Sequence, residues 1–175
     1  MKKHFTLFAP LLLSLSLLAT SVQAETIKTA IGTFEVPDGL KILERDEKPD
    51  KVTGKPSGII VFTKANDMPR AVFILSWTAV EVSDKPFDAL DSAVKIGNPF
   101  NKDLTRKDAT QTSIGGVAGG RFEGILPNGL RAVSYSVENS GYRLIVLLKG
   151  PNKTPYSELT DSFAKSVENL TWATP

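Results

Sequence analysis

Residues 113–124 read SIGGVAGGRFEG, with five glycines in twelve positions, and a backbone so free of side chains can wrap a phosphate. Gly115 and Gly120 stand at the spacing of the two glycines in a G-x-x-x-x-G-K-[ST] loop, whose lysine meets phosphate and whose hydroxyl meets magnesium. Arg121 and Phe122 occupy the two positions that follow, so the required hydroxyl is missing. The helix that such a loop must open is missing as well. RFEGILPNG reads as a strand running into a Pro-Asn-Gly turn. No register gives G-x-G-x-x-G, and the preceding TRKDATQTSI alternates Thr110, Thr112 and Ile114 as a strand does. The glycines are therefore expected to form a turn or bulge between two strands.

Other residue groups carry weaker chemistry. Glu44, Asp46, Glu47 and Asp50 gather acids that calcium would accept, but the D-x-[DN]-x-[DN]-G pattern is absent and lysines intervene. The 19 acidic residues leave a paired-carboxylate hydrolase or a small-ligand pocket formally open, and Tyr135 or Tyr142 could join either one. Nothing in their spacing singles them out. Cysteine is absent and the one histidine is His4, near the start. Disulfides, thiol nucleophiles, Cys/His zinc sites and Ser-His-Asp triads are thereby excluded from the mature domain. No catalytic, cofactor-binding or metal-ligating residue is assigned, and no cofactor is expected.

The chain begins with an address. Lys2 and Lys3 precede the apolar stretch FTLFAPLLLSLSLLA, which is short for a membrane span, and Val22 and Ala24 sit at the small-residue positions of a signal-peptidase site. Cleavage after Ala24 is expected, with residues 25–175 forming one domain. No cysteine follows the apolar run to take a lipid, so no stable membrane anchor is expected after cleavage. The expected destination is a bacterial periplasm. The chain has 21 basic and 19 acidic residues; losing Lys2 and Lys3 with the signal leaves the charges balanced. No basic run remains to track nucleic acid or anionic lipid.

The elements that must position any site follow from hydrophobic period. TIKTAIGTFEVP reads as two short strands around Gly32, and LKILE continues extended into a polar loop, RDEKPDKVTGKPSG. GIIVFT, RAVFILSWTAVEV and GYRLIVLLKG are apolar on both faces, which predicts strands covered on both faces. RAVSYSV alternates Val133, Tyr135 and Val137 with small residues, which predicts a half-buried strand joined through ENSG to the next. One helix is expected to begin near Asp84, to bury Phe87, Leu90 and Val94, and to stop at Gly97 and Pro99. A second is expected after Thr154 as N-cap and Pro155, with Tyr156, Leu159, Phe163, Val167 and Leu170 on one stripe. Trp172 is expected to close the core. Together these predict an α+β domain, a mostly antiparallel sheet sandwiched between helices in three layers.

Three pieces, TFEVPDGL, SIGGVAGGRFEG and GYRLIVLLKG…YSELTDSFAKSVENLTW, resemble the PsbP-like fold family in that order. That family spans photosystem II PsbP, Ran-binding relatives and bacterial DcrB-type envelope proteins. The resemblance covers about Ile31 to Trp172. Leu40 replaces the Trp that often follows the opening Pro-x-Gly, and the lipoprotein cysteine of many bacterial members is absent. It implies a three-layer α/β/α fold and a binding or assembly role, with no shared active site to carry over.

The expected function is that of a soluble periplasmic binding or accessory protein, acting through contacts with another envelope protein and not as an enzyme. An inhibitor or immunity protein against an envelope toxin or hydrolase is the sharper version of that reading. A carboxylate-based hydrolase or small-ligand binder is the rival. The surfaces expected to carry recognition are residues 44–56 and the rim at Gly115–Gly120.

Overall fold

The computed structural model describes residues 25–64, 71–81 and 86–174. The expected signal, residues 1–24, and Asp84 lie outside the described residues. Ten strands and two α-helices are described: β1 Glu25–Thr29, β2 Gly32–Val36, β3 Leu40–Pro49, β4 Pro56–Lys64, β5 Val72–Ala79, α1 Ala89–Gly97, β6 Ala109–Ile114, β7 Val117–Ile125, β8 Leu130–Asn139, β9 Tyr142–Pro151, α2 Tyr156–Glu168 and β10 Thr171–Trp172. Seven strands form one antiparallel sheet in the order β3-β4-β5-β9-β8-β7-β6. It consists of two meanders, β3–β5 and β6–β9, joined where β9 pairs with β5. The opening hairpin does not join this sheet. It forms a separate three-stranded sheet with β10, in the order β1-β2-β10.

One face of the large sheet, the inner face, is closed by α2 and the small sheet. Phe62, Phe73, Leu75, Trp77, Val133, Tyr135, Leu144, Val146 and Leu148 all point there and are buried with Phe34 and Phe163. The α2 stripe lies as its period predicts, with Tyr156, Phe163 and Val167 buried and Leu170 beyond the helix also buried. Its start differs from expectation. Thr154 is not the cap; Pro155 takes that position without a side-chain bond, after a cis peptide, and the Lys153 carbonyl accepts the Tyr156 and Ser157 amides instead. Those amides thus have a backbone partner and need no hydroxyl.

On the opposite, outer face, α1 lies over β7 and β8. It begins at Ala89, with Asp88 as N-cap accepting from the Asp91 amide at 3.1 Å, so Phe87 stands outside the helix. The buried positions are Ala93, Val94 and Gly97, while Leu90 and Phe87 are only half-buried. Small residues are chosen because the approach is close. Ser134 donates to the Ala93 carbonyl at 2.6 Å, and the Ser92 and Ser136 hydroxyls meet at 2.9 Å.

Two burial expectations are corrected. β8 is covered on both faces, because Ala132, Ser134 and Ser136 lie beneath α1. β4, β5 and β9 are not, since α1 is a single helix and sits to one side of them. Their inner residues are buried, but Ile59, Val61, Val72, Ile74, Ile145 and Leu147 on the outer face remain half-buried. The expected loop from Arg45 is also shortened: residues 45–49 extend β3, and only 50–55 turn.

Candidate functional site

The open half of the outer face is ordered by strand register. Asp46, Ile59, Ser76 and Ile145 form one row across β3, β4, β5 and β9, and Glu44, Val61, Ile74 and Leu147 form the next. A third row begins with the pair Lys48 and Ser57 and resumes with Thr78 and Arg143, reaching Glu138 on β8. The Ser57 hydroxyl accepts from the Ala79 amide at 3.2 Å where the two parts meet. Two cavities lie along this end. One, of 340 Å3, is floored by Ser57, Ile59, Ser76 and Thr78 and rimmed by Asp46, Lys48 and Asp50. The other, of 510 Å3, lies against α1, with Phe87, Asp91, Ser92, Lys95, Glu138 and Arg143 in its wall. Thr78 and Arg143 are register partners, so the cavities are neighbouring parts of one shallow trough running from the β3 edge to α1.

The trough's ends are charged and its middle is aliphatic with hydroxyls. Arg143 is positioned by two groups: its Nε donates to Glu138 at 2.9 Å, and its guanidinium lies 4.4 Å from the centre of the Phe87 ring. Lys95 pairs with Asp91 at 2.6 Å, one helical turn away, and Lys48 pairs with Asp46 at 2.6 Å. Asp50 accepts the Thr53 amide and hydroxyl and the Val52 amide. These bonds, led by that from the Thr53 amide, hold its carboxyl below the usual range. An arrangement of aliphatic floor, paired ions and hydroxyls suits contact with another macromolecule. Among the described residues no group of three or more Asp or Glu is gathered to hold a metal ion.

The glycine stretch does different work. Gly115 and Gly116, at φ 57° and 83°, make the two-residue turn between β6 and β7. The Gly115 amide donates to the Glu168 carbonyl at 2.9 Å and the Trp172 indole donates to the Ile114 carbonyl at 2.8 Å, tying the turn to the end of α2. A Cβ on Gly115 would overlap the Leu170 carbonyl oxygen, and one on Gly120 would overlap the Ala89 carbonyl oxygen at the start of α1. The stretch is a turn and a seat for two helices.

Beside α2 lies a polar network built on the inner face. Tyr135 is fully buried; its hydroxyl accepts from Arg121 Nε at 3.1 Å and donates to Glu168 at 3.0 Å. Arg121 also pairs with Glu123, and Arg131 bridges Glu123 and Asp161, each at 2.8 Å. Burial works to raise the Glu123 pKa, but hydrogen bonds from Arg121 and Arg131 outweigh it and hold the carboxyl below its usual range. Burial also pushes the Tyr135 phenol up to about 12, from 10.0. A raised phenol pKa means the folded state favours the neutral form. That stabilisation is complete below pH 10.0 and is lost as pH rises towards about 12. Tyr135→Phe is expected to lose about 2 kcal/mol at neutral pH. Urea unfolding at rising pH should show the gap between wild type and Y135F narrowing above pH 10; a gap that stays constant overturns the assignment.

No protein-family model matches the sequence, and no curated protein does. Structural comparison does find a match. The solution structure of cyanobacterial PsbP (CyanoP) from Synechocystis sp. PCC 6803 superposes with a TM-score of 0.55 at 14% identity, covering 86% of this chain and 92% of that one. The chain has a PsbP-like fold. The three-layer α+β arrangement expected from the sequence is thereby established, with the small β1-β2-β10 sheet as an addition beside α2.

On this PsbP-like scaffold the two surfaces expected to carry recognition are far apart. β3, with residues 44–49, and β6, leading to Gly115, are the opposite edge strands of the seven-stranded sheet. The first contributes Asp46, Lys48 and Asp50 to the trough. The second is docked against α2, and Gly119 lines a separate cavity of 570 Å3 on the other flank of α1. The acids Glu44–Glu47 alternate across β3, with Arg45 paired to Glu47 and Lys48 to Asp46. Tyr135 is buried in the network, and Tyr142 lies beneath the Lys55 amine. Ser57, Ser76, Thr78 and Arg143 were not legible as a group, because register across three strands brings them together. The available signal was the second apolar face of β5 and β9, which one helix of nine residues cannot cover in full.

Proposed function

We propose that this protein is exported to the periplasm and works there as a non-enzymatic accessory protein, binding another envelope protein through the open half of its outer sheet face. The observation that carries the reading is the row of half-buried aliphatic residues on β4, β5 and β9, beside a helix that stops short of them. Aliphatic side chains grouped on one face favour a macromolecular contact over a solvated surface. Most of the trough acids favour binding over catalysis, because Asp46, Asp88, Asp91 and Glu138 each hold a cation and Asp50 holds its own turn, with Glu81 the acid left unpaired among the described residues. Export is supported by the n-region, apolar stretch and Ala24 junction, and no described helix is long and apolar enough to cross a membrane.

The test is site-specific photo-crosslinking in living cells. A photoreactive residue at Ile145 should give one discrete adduct in the periplasmic fraction. The same residue at Ile125, 56% exposed and on the inner side of β7, should give none. Equal adducts at both positions, or none at either, would overturn the reading.

A further inference from the structure

We propose that the partner's contribution to this face is a single α-helix with an apolar stripe flanked by lysine or arginine; the proposal rests on the protein-binding reading above. The face itself selects a helix. β4, β5 and β9 are each paired on both sides, so their backbone N–H and C=O groups are already bonded within the sheet. An extended segment laid across them would find no ladder to join, whereas a helix brings its backbone bonds with it. Width points the same way. Three strands at about 4.8 Å spacing leave a strip of about 10 Å, and a helix with its side chains is about 10–12 Å across. The outer layer already holds one helix, α1, over β7 and β8; the strip has room for one more alongside it.

The floor is Ile59, Val61, Val72, Ile74, Ile145 and Leu147. From Ser57 to Val61 the open strip runs for about 13 Å, the length of about nine helical residues; Thr63, the next outer position on β4, is buried. Charge then selects the helix's flanks. Glu44 and Asp46 border the strip along β3, and Glu81, Asp91 and Glu138 stand on the α1 side. Asp46, Asp91 and Glu138 are neutralised by Lys48, Lys95 and Arg143. Glu44 and Glu81 have no ion pair among the described residues, so the described groups along the two borders are five acids and three cations, with Lys41 and Lys149 balancing them only at the far end. Lys41 and Lys149 cross the far end, where the partial negative charge of a helix C-terminus would meet them.

Two helix-stapled peptides with the same leucine stripe, one flanked by lysine and one by glutamate, test the proposal against the full mature chain by fluorescence anisotropy. The lysine peptide should bind, more weakly in high salt, and the glutamate peptide should not. Glu44→Lys with Glu81→Lys, both at exposed positions, should weaken the lysine peptide by about tenfold, and Ile145→Ser should abolish its binding. Binding of both peptides alike, binding indifferent to these variants, or no binding at all would each overturn the proposal. If crosslinks form at Ile145 while neither peptide binds, the protein-binding reading stands and the helix falls.

Discussion

Phe163→Ala is expected to cost about 3–5 kcal/mol of folding stability, the range for removing a large side chain from a core that cannot collapse around the gap. Phe163 is the centre of a four-ring cluster contributed by four elements. Its ring centroid lies 5.0 Å from Phe34 on β2, 5.3 Å from Phe62 on β4 and 5.3 Å from Phe73 on β5. All four rings are buried at 2% exposure or less. The substitution therefore loosens α2, the small sheet and the large sheet together, and no single neighbour can move in without leaving the others. A domain of this size has about 5–15 kcal/mol in total, so much of its margin would go. Urea denaturation gives the value directly. Phe163→Leu, which keeps most of the volume, should lose far less. A loss under about 1 kcal/mol for Phe163→Ala would show that the cluster does not hold the layers together.

Gly120→Ala is expected to cost about 3 kcal/mol or more, although it adds one methyl group. The added Cβ would overlap the Ala89 carbonyl oxygen and stand 2.5 Å from the Ala89 carbonyl carbon and 2.8 Å from the Leu90 nitrogen. All three are backbone atoms, so relief requires lifting the first turn of α1 from β7. Gly97 shows the same close seating at the other end, since a Cβ there would overlap the Phe122 ring and stand 2.6 Å from the Ser134 hydroxyl. Gly116→Ala provides the comparison. It has a positive φ of 83° but open space around it, and should cost about 1 kcal/mol through backbone conformation alone. Hydrogen exchange should show α1 amides losing protection in G120A and keeping it in G116A. Because α1 walls one end of the trough, G120A should also weaken the binding proposed there; equal stability of the two variants would refute the close seating of the helix.

The glycines show how far local pattern reaches. A turn between two strands was legible at Gly115 and Gly116, because φ above zero is a local demand and the residues on both sides alternate. That Gly120 accommodates a helix begun 31 residues earlier, at Ala89, was not, since close approach is a property of two distant segments. Tyr135 is a similar case. Its inward direction follows from the alternation of β8, but Arg121 and Glu168 reach its hydroxyl only because β7 and α2 pack beside it.

By itself the sequence determined which residues share a face, where most strands and the α2 stripe lie, and which catalytic chemistries are closed to residues 25–175, which lack cysteine and histidine. Those properties depend on periods of two and about 3.6 residues and on composition, which neighbouring residues encode. Only the tertiary structure decided which half of the outer face stays open. The apolar pattern of β5 and β9 calls for cover on both sides, and it carries no information on where α1 will come to rest. That placement follows from Gly97, Gly120, Ser134 and Ser136, small residues on three elements that let α1 settle over β7 and β8 and leave Ile59, Ile74 and Ile145 accessible.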